Sequence, residues 1–108
     1  MANLEDFRRL DFRVAQIYEA DPISGATRLL KIGVDLGAEK RTLVAGLAKY
    51  YEPQQLIGLK VVVLTNLESA TIRGVVSQGM MLGAGCNSGQ DVALLTINKD
   101  VPNGTPVE

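Results

Sequence analysis

An all-β fold is predicted for this chain: five short strands forming a small barrel, with one short helix between the third and fourth. Three observations predict it. Apolar residues alternate in short runs, most cleanly in Arg28 to Asp35, where Leu30, Ile32 and Val34 fall on one face. The runs are separated by turn-forming clusters such as DPISGAT, Asp21 to Thr27, and GCNSG, Gly85 to Gly89. The helical signal between strands is short, Pro53 to Ile57, with proline in its first turn and Gly58 as a ready C-terminal cap. A length of 108 residues buries one core and is too short for two ordinary domains, so residues 1 to 108 are read as one domain.

Taken in order, Asn3 is placed to cap a helix running to Leu10, with Glu5 and Asp6 in the first turn, where the helix dipole favours negative charge. Leu4, Phe7 and Leu10 recur three apart and give that helix one apolar face. The first strand, Asp11 to Glu19, changes parity: Phe12 and Val14 share a face, then Ile17 takes the other. A bulge or a strong coil is expected there. Arg28 to Asp35 is the second strand, with Leu29, Lys31 and Gly33 on its outer side, and Gly37, Ala38 and Glu39 turn the chain into a third strand, Lys40 to Gly46. The first three strands then form a meander. Lys60 to Thr65 (KVVVLT) is a buried fourth strand, about Gly79 to Ala84 a fifth, and Asp91 to Ile97 adds a further strand. The tail, Asn98 to Glu108, carries Pro102, Gly104 and Pro106 and should be irregular. This order is that of the oligonucleotide-binding (OB) barrel, with a generic small β-barrel as the alternative.

The chain has no histidine, which removes the commonest general base and the commonest metal ligand together. Ser-His-Asp and Cys-His chemistry are excluded. The carboxylates Asp6, Asp11, Asp21, Asp35 and Asp91 are scattered singly beside turns, without the clustering that metal or glycosidase sites need. No catalytic residue, metal or cofactor is expected. The lone cysteine, Cys86, has neither a disulfide partner nor a base to activate it and is read as a structural or incidental loop residue. No apolar run approaches the ~20 residues of a membrane span, and the first ten residues lack a hydrophobic signal region. A soluble cytoplasmic protein is expected. Lys+Arg number 11 against Asp+Glu 12, a net charge of −1, so any nucleic-acid binding must come from a local patch.

That patch is sought where basic groups meet glycine-punctuated loops. Arg73 to Gln78 is read as a polar link between apolar strands, a usual mounting for binding groups. Arg73 has no acidic residue closer in sequence than Glu68, which leaves its donor fork for a phosphate or carboxylate. Ser77 and Asn66 add a hydroxyl and an amide, and Arg28, Lys31, Arg41 and Lys49 are the further basic candidates. The glycine-rich run Gly83 to Gly89 is followed by a strand rather than a helix, so it is read as a hairpin connection and not a phosphate loop. The second and third strands hold no aromatic residue, which disfavours sequence-tolerant base stacking on them and favours recognition of a folded RNA by backbone and shape. Tyr50 and Tyr51 are read as core and rim packing.

In order and spacing, Asn66, Leu67, Arg73, Gly74, Val75, Ser77, Gly79, Met80 and Leu82 resemble the signature of the tRNA-binding domain family. Asp11 to Val14 with Ile17, Leu29 to Lys31 ahead of Val34 to Gly37, and Ala45 to Ala48 with Tyr50-Tyr51 and Leu56 to Gly58 extend the likeness over nearly the whole chain. The resemblance implies an OB barrel that binds tRNA structure-specifically near the outer corner of the L and catalyses nothing itself. It further implies a freestanding protein or an accessory subunit of methionyl-tRNA synthetase. Freestanding members are similar at both ends, in the helix Leu4 to Leu10 and the extension from Asp91, and this implies a homodimer built from those segments. One subgroup is described as an export-associated chaperone, so an unfolded peptide is the alternative partner. Against the family pattern, the turn Asp21 to Arg28 lacks a histidine and an asparagine and keeps Arg28, Glu68 reverses a lysine, and Thr71 replaces another.

Overall fold

The computed structural model describes Met1 to Glu108. Helix α1 (Leu4–Arg8) starts where its sequence says it should. The Asn3 side chain accepts from the Asp6 N–H at 2.9 Å and the Asp6 carboxylate accepts from the Asn3 N–H at 3.0 Å, so each residue satisfies an otherwise orphaned donor. The helix stops two residues before Leu10 and buries none of its side chains. Its apolar residues Leu4 and Phe7, and Leu10 beyond its end, stay exposed.

Strand β1 (Phe12–Ile23) runs between two neighbours and is longer than predicted. It pairs with β4 (Lys60–Leu64) through Phe12 to Gln16 and with β2 (Ala26–Asp35) from Gln16 onward. The expected bulge is present: Ile17 faces Val34 and Glu19 faces Gly33, leaving Tyr18 as the extra residue. That insertion lets Ile17 and Ala20 both bury despite their odd spacing. The Asp21 to Thr27 cluster is not an irregular turn. The register shifts between Pro22, which faces Leu30, and buried Ile23, which faces Ala26, and only Ser24 and Gly25, with Gly25 at φ +78°, separate β1 from β2. Pro22 is tolerated because β1 has lost its β4 neighbour by that point.

Strand β3 (Lys40–Ala45) completes the meander, and α2 (Pro53–Leu56) leads into β4, with Leu56 fully buried. Beyond β4 come β5 (Ala70–Ile72), β6 (Val75–Ser77), β7 (Met80–Met81), β8 (Gly83–Cys86) and β9 (Asp91–Leu94). The predicted fifth strand is therefore split at Leu82: its first part pairs with β4 and its second with β9. The five-stranded sheet has the order β3-β2-β1-β4-β7. Ile17, Leu30, Ile32, Val34, Leu43, Val61 and Val63 of the sheet pack with Leu56 of α2 in the core, each side chain contributing about 1.5–3 kcal/mol by leaving water.

No strand ladder joins the sheet's two ends. The β3 edge is instead satisfied just before β7, where the Gln78 N–H donates to the Thr42 carbonyl (2.8 Å) and the Val44 N–H donates to Ser77 Oγ (3.0 Å). The result is a mostly-β, sheet-rich fold. The tail is irregular but not loose: the Val14 N–H donates to the Thr105 carbonyl at 2.9 Å and the Val107 N–H to the Phe12 carbonyl at 2.9 Å, covering the edge of β1 that β2 does not reach. No helix is long and apolar enough to cross a membrane.

Candidate nucleic-acid interface

Arg73 does not sit in an irregular polar link. The segment predicted as one is a β-hairpin in which Ile72 faces Val75, and Arg73 and Gly74 are the two residues of the turn between them. Their φ values are +52° and +80°, the doubly left-handed backbone of the type I′ turn that suits the twist of two paired strands. Glycine meets this requirement without strain, while arginine in that conformation is held there by the hairpin. The tip carries the guanidinium outward, exposed.

Two adjoining cavities put Arg73 in company. A shallow one of about 380 Å³ is lined by Arg73 with Gly25, Thr27, Arg28 and Leu29. Arg28 also borders a larger groove of about 610 Å³, with Lys49, Tyr50, Gly89 and Gln90 on its other walls. Arg28 is the third residue of β2 and Lys49 follows β3, so the meander and the hairpin tip bring three cations onto one continuous face. The ion pairs of the chain employ Arg9, Arg13, Lys31, Arg41 and Lys60, and so leave Arg28, Lys49 and Arg73 uncommitted. No acidic residue lines either cavity. A chain of net charge −1 thereby presents a local positive patch able to neutralise phosphates.

The other candidates lie elsewhere or are engaged. Lys31 lines neither cavity and lies 3.9 Å from Glu19. Arg41 pairs with Glu39 and donates to the Thr65 and Gln78 carbonyls, which joins the ends of the sheet. Ser77 is buried, its Oγ accepting from Val44 N–H and donating to the Gly79 carbonyl, so it roots the hairpin. Asn66 accepts from the Asp11 N–H at 2.9 Å and donates to the Arg9 carbonyl at 2.7 Å, tying the end of α1 to the end of β4. Residue type and loop position flagged these side chains; their partners, many residues away in sequence, decided their roles.

Beside Asn66, Asp11 secures the same junction. The Thr65 hydroxyl donates to its carboxylate at 2.8 Å, and this bond above all, with the Arg13 guanidinium at 3.0 Å, holds the Asp11 pKa below its usual value against a smaller opposing effect of burial. A carboxyl with a lowered folded pKa stabilises the fold fully above its unfolded value, about 3.9, and ceases to do so as pH falls through the lowered one. Asp11→Asn is expected to flatten the fall in stability below about pH 4, measured by urea melts across that range. An unchanged acid limb would remove Asp11 from this role.

The sequence reading missed the larger groove as a unit. The Tyr50 hydroxyl donates to the Gly89 carbonyl at 2.8 Å, closing a gap of 39 residues that no local pattern announces. Tyr51 packs against the core as read, its hydroxyl donating to the Val92 carbonyl at 2.9 Å. Of the run Gly83 to Gly89, Gly83–Cys86 is strand β8, with Cys86 exposed, and only the residues after it form the hairpin connection to β9. A separate apolar cleft of about 290 Å³ lies between β3 and the β8–β9 hairpin, lined by Val44, Leu47, Met80, Met81, Val92 and Leu94.

Comparison with known proteins gives the family and the fold. The chain is 45% identical over 105 residues to a methionine-tRNA ligase of Halalkalibacterium halodurans, a match covering 97% of this chain and 16% of that enzyme. It thus spans about a sixth of the length of such relatives. Among solved structures, a MetRS related protein from Pyrococcus horikoshii superposes with a TM-score of 0.93 at 32% identity, covering 100% of this chain and 98% of that one. The chaperone CsaA from Bacillus anthracis str. Ames superposes with a TM-score of 0.90 at 32% identity, covering 100% and 99%. The profile of the tRNA binding domain matches residues 12–106, nearly everything between the capped helix and the final residues. The chain therefore belongs to the tRNA binding domain family.

Proposed function

We propose that this chain binds folded tRNA structure-specifically, without catalysis of its own, through the Arg28, Lys49 and Arg73 face. The observation that carries the reading is the convergence of three unpaired cations on one face whose cavities contain no acid. Strands β2 and β3 offer no aromatic platform, which favours reading of backbone and shape over base stacking on the sheet. We read the five-stranded sheet as an OB barrel left partly open between β3 and β7, with the loop before β2 and the β5–β6 hairpin at one rim. The methionine-tRNA ligase relatives support a role as an accessory part of methionyl-tRNA synthetase in the cytoplasm. The exposed apolar face of α1, with Val107 nearby on the tail, supports a homodimer. Sedimentation should then give twice the mass of the chain.

The test is a titration of folded tRNA against the wild type and Arg73→Ala at two salt concentrations, with an unstructured RNA of equal length beside it. Preferential, salt-sensitive binding of the folded RNA that weakens with Arg73→Ala is expected. Absence of tRNA binding at low salt would refute the reading. The apolar cleft and the likeness to a CsaA chaperone favour a second reading, in which an unfolded peptide occupies the protein. Peptide binding would depend on Met80 and tolerate salt.

A further inference from the structure

We infer that the groove between Lys49 and Gln90 receives one unpaired nucleotide of the bound RNA, its base against Tyr50 and its phosphate between Arg28 and Lys49. This rests on the tRNA-binding reading and adds a base-sized subsite beside the charged face. A volume of about 610 Å³ is within the range of small-ligand sites, about 300–1,000 Å³, and far more than a phosphate alone requires.

The walls carry two kinds of chemistry. Arg28 and Lys49 supply charge for a phosphate, while Tyr50 adds an aromatic ring and Gln90 an amide. A half-buried tyrosine ring is a surface for a flat base. Its hydroxyl bond to the Gly89 carbonyl, 2.8 Å, pins the ring, so little rotamer freedom remains to be lost on binding. The exposed Gln90 amide makes no side-chain hydrogen bond within the chain and offers a donor and an acceptor side by side, the pair that reads a base edge. Gly89 leaves open space where a side chain would stand.

The segment that carries these groups is held in an uncommon conformation. Asn87, Ser88 and Gly89 have φ of +52°, +54° and +85° in succession, and the Gln90 N–H closes back onto the Asn87 carbonyl at 3.1 Å. Three left-handed residues in a row fix where Gln90 stands relative to Tyr50. A base within a duplex is stacked and cannot enter such a groove, whereas a loop nucleotide can. The nucleotide therefore comes from a single-stranded part of the RNA.

The experiment uses a set of folded tRNAs, each carrying 2-aminopurine at one unpaired loop position, titrated into the wild type, Tyr50→Leu, Tyr50→Phe, Gln90→Ala and Arg73→Ala, with adenosine monophosphate alone as a further arm. At least one loop position is expected to change fluorescence on binding. Affinity should fall about tenfold for Tyr50→Leu, less for Tyr50→Phe, and the fluorescence response should shrink for Gln90→Ala, a surface change that spares the fold. Binding that depends on Arg73 but ignores Tyr50 and Gln90, with no responding position, overturns the inference and leaves tRNA binding standing. No binding of any tRNA by the wild type overturns both. Adenosine monophosphate binding as tightly as tRNA also overturns it, since the groove would then serve a free nucleotide.

Discussion

Replacing Arg28, Lys49 and Arg73 together with alanine is expected to lower affinity for folded tRNA by about two to three orders of magnitude at physiological salt. Each of these cations displaces condensed counterions when it meets a phosphate, so the plot of log affinity against log salt should also flatten by about two to three units per binding face. Nothing in the fold opposes the substitution: the side chains are exposed or at a groove wall, and none takes part in an ion pair whose partner would be left behind. Thermal stability should be unchanged within a few tenths of a kcal/mol. By contrast, Arg41→Ala should lower stability, because its guanidinium serves the Thr65 and Gln78 carbonyls at the seam of the sheet. Isothermal titration beside thermal melts separates the two classes. A triple variant that binds as the wild type does would show that the charged face is not where RNA lies.

Gly79→Ala is expected to destabilise the protein by about 3 kcal/mol, with a fall in Tm on the order of 15 °C. Gly79 is buried, with φ at +145°, where the chain passes from the hairpin into β7. An added Cβ would lie 2.8 Å from the Leu64 carbonyl oxygen and 3.3 Å from side-chain atoms of Leu43 and Val63. Backbone cannot yield as a side-chain tip can, so the hairpin root must move. Arg73 would move with it, and tRNA affinity should drop even below the melting range. Gly74→Ala provides the comparison: its φ is +80°, but nothing lies within 4 Å of the added atom, so only the backbone strain of about 1 kcal/mol remains. Equal stability losses at the two positions would contradict the assignment of the effect at Gly79 to steric overlap.

The sheet was legible in the sequence where burial and periodicity coincide. Leu30, Ile32 and Val34 announce β2, and the parity change between Val14 and Ile17 announces the bulge at Tyr18. The ends of elements were less legible, since Ile23 extends β1 through residues whose types favour turns. The β5–β6 hairpin was missed because its strands are three residues each, too short to show alternation, and β5 is exposed throughout. Its one local sign was the Arg-Gly pair flanked by Ile72 and Val75. Arg28 and Lys49 were identified by charge, and Arg73 by charge and loop position, and the three line adjoining cavities. Ser77, Asn66 and Arg41 were chosen as a hydroxyl, an amide and a further basic group and prove to be engaged, because hydrogen-bond partners 24 to 57 residues away are invisible to any local pattern.

The most direct test of the account is amide hydrogen exchange of the chain with and without saturating folded tRNA. Slowed exchange confined to residues 25 to 29, 46 to 50, 72 to 75 and 87 to 90 is the predicted result, with α1 and residues 98 to 101 unaffected by RNA. Protection that instead falls on the Lys31 face of β2 or along the Met80 cleft, with none at the hairpin tip, would contradict it.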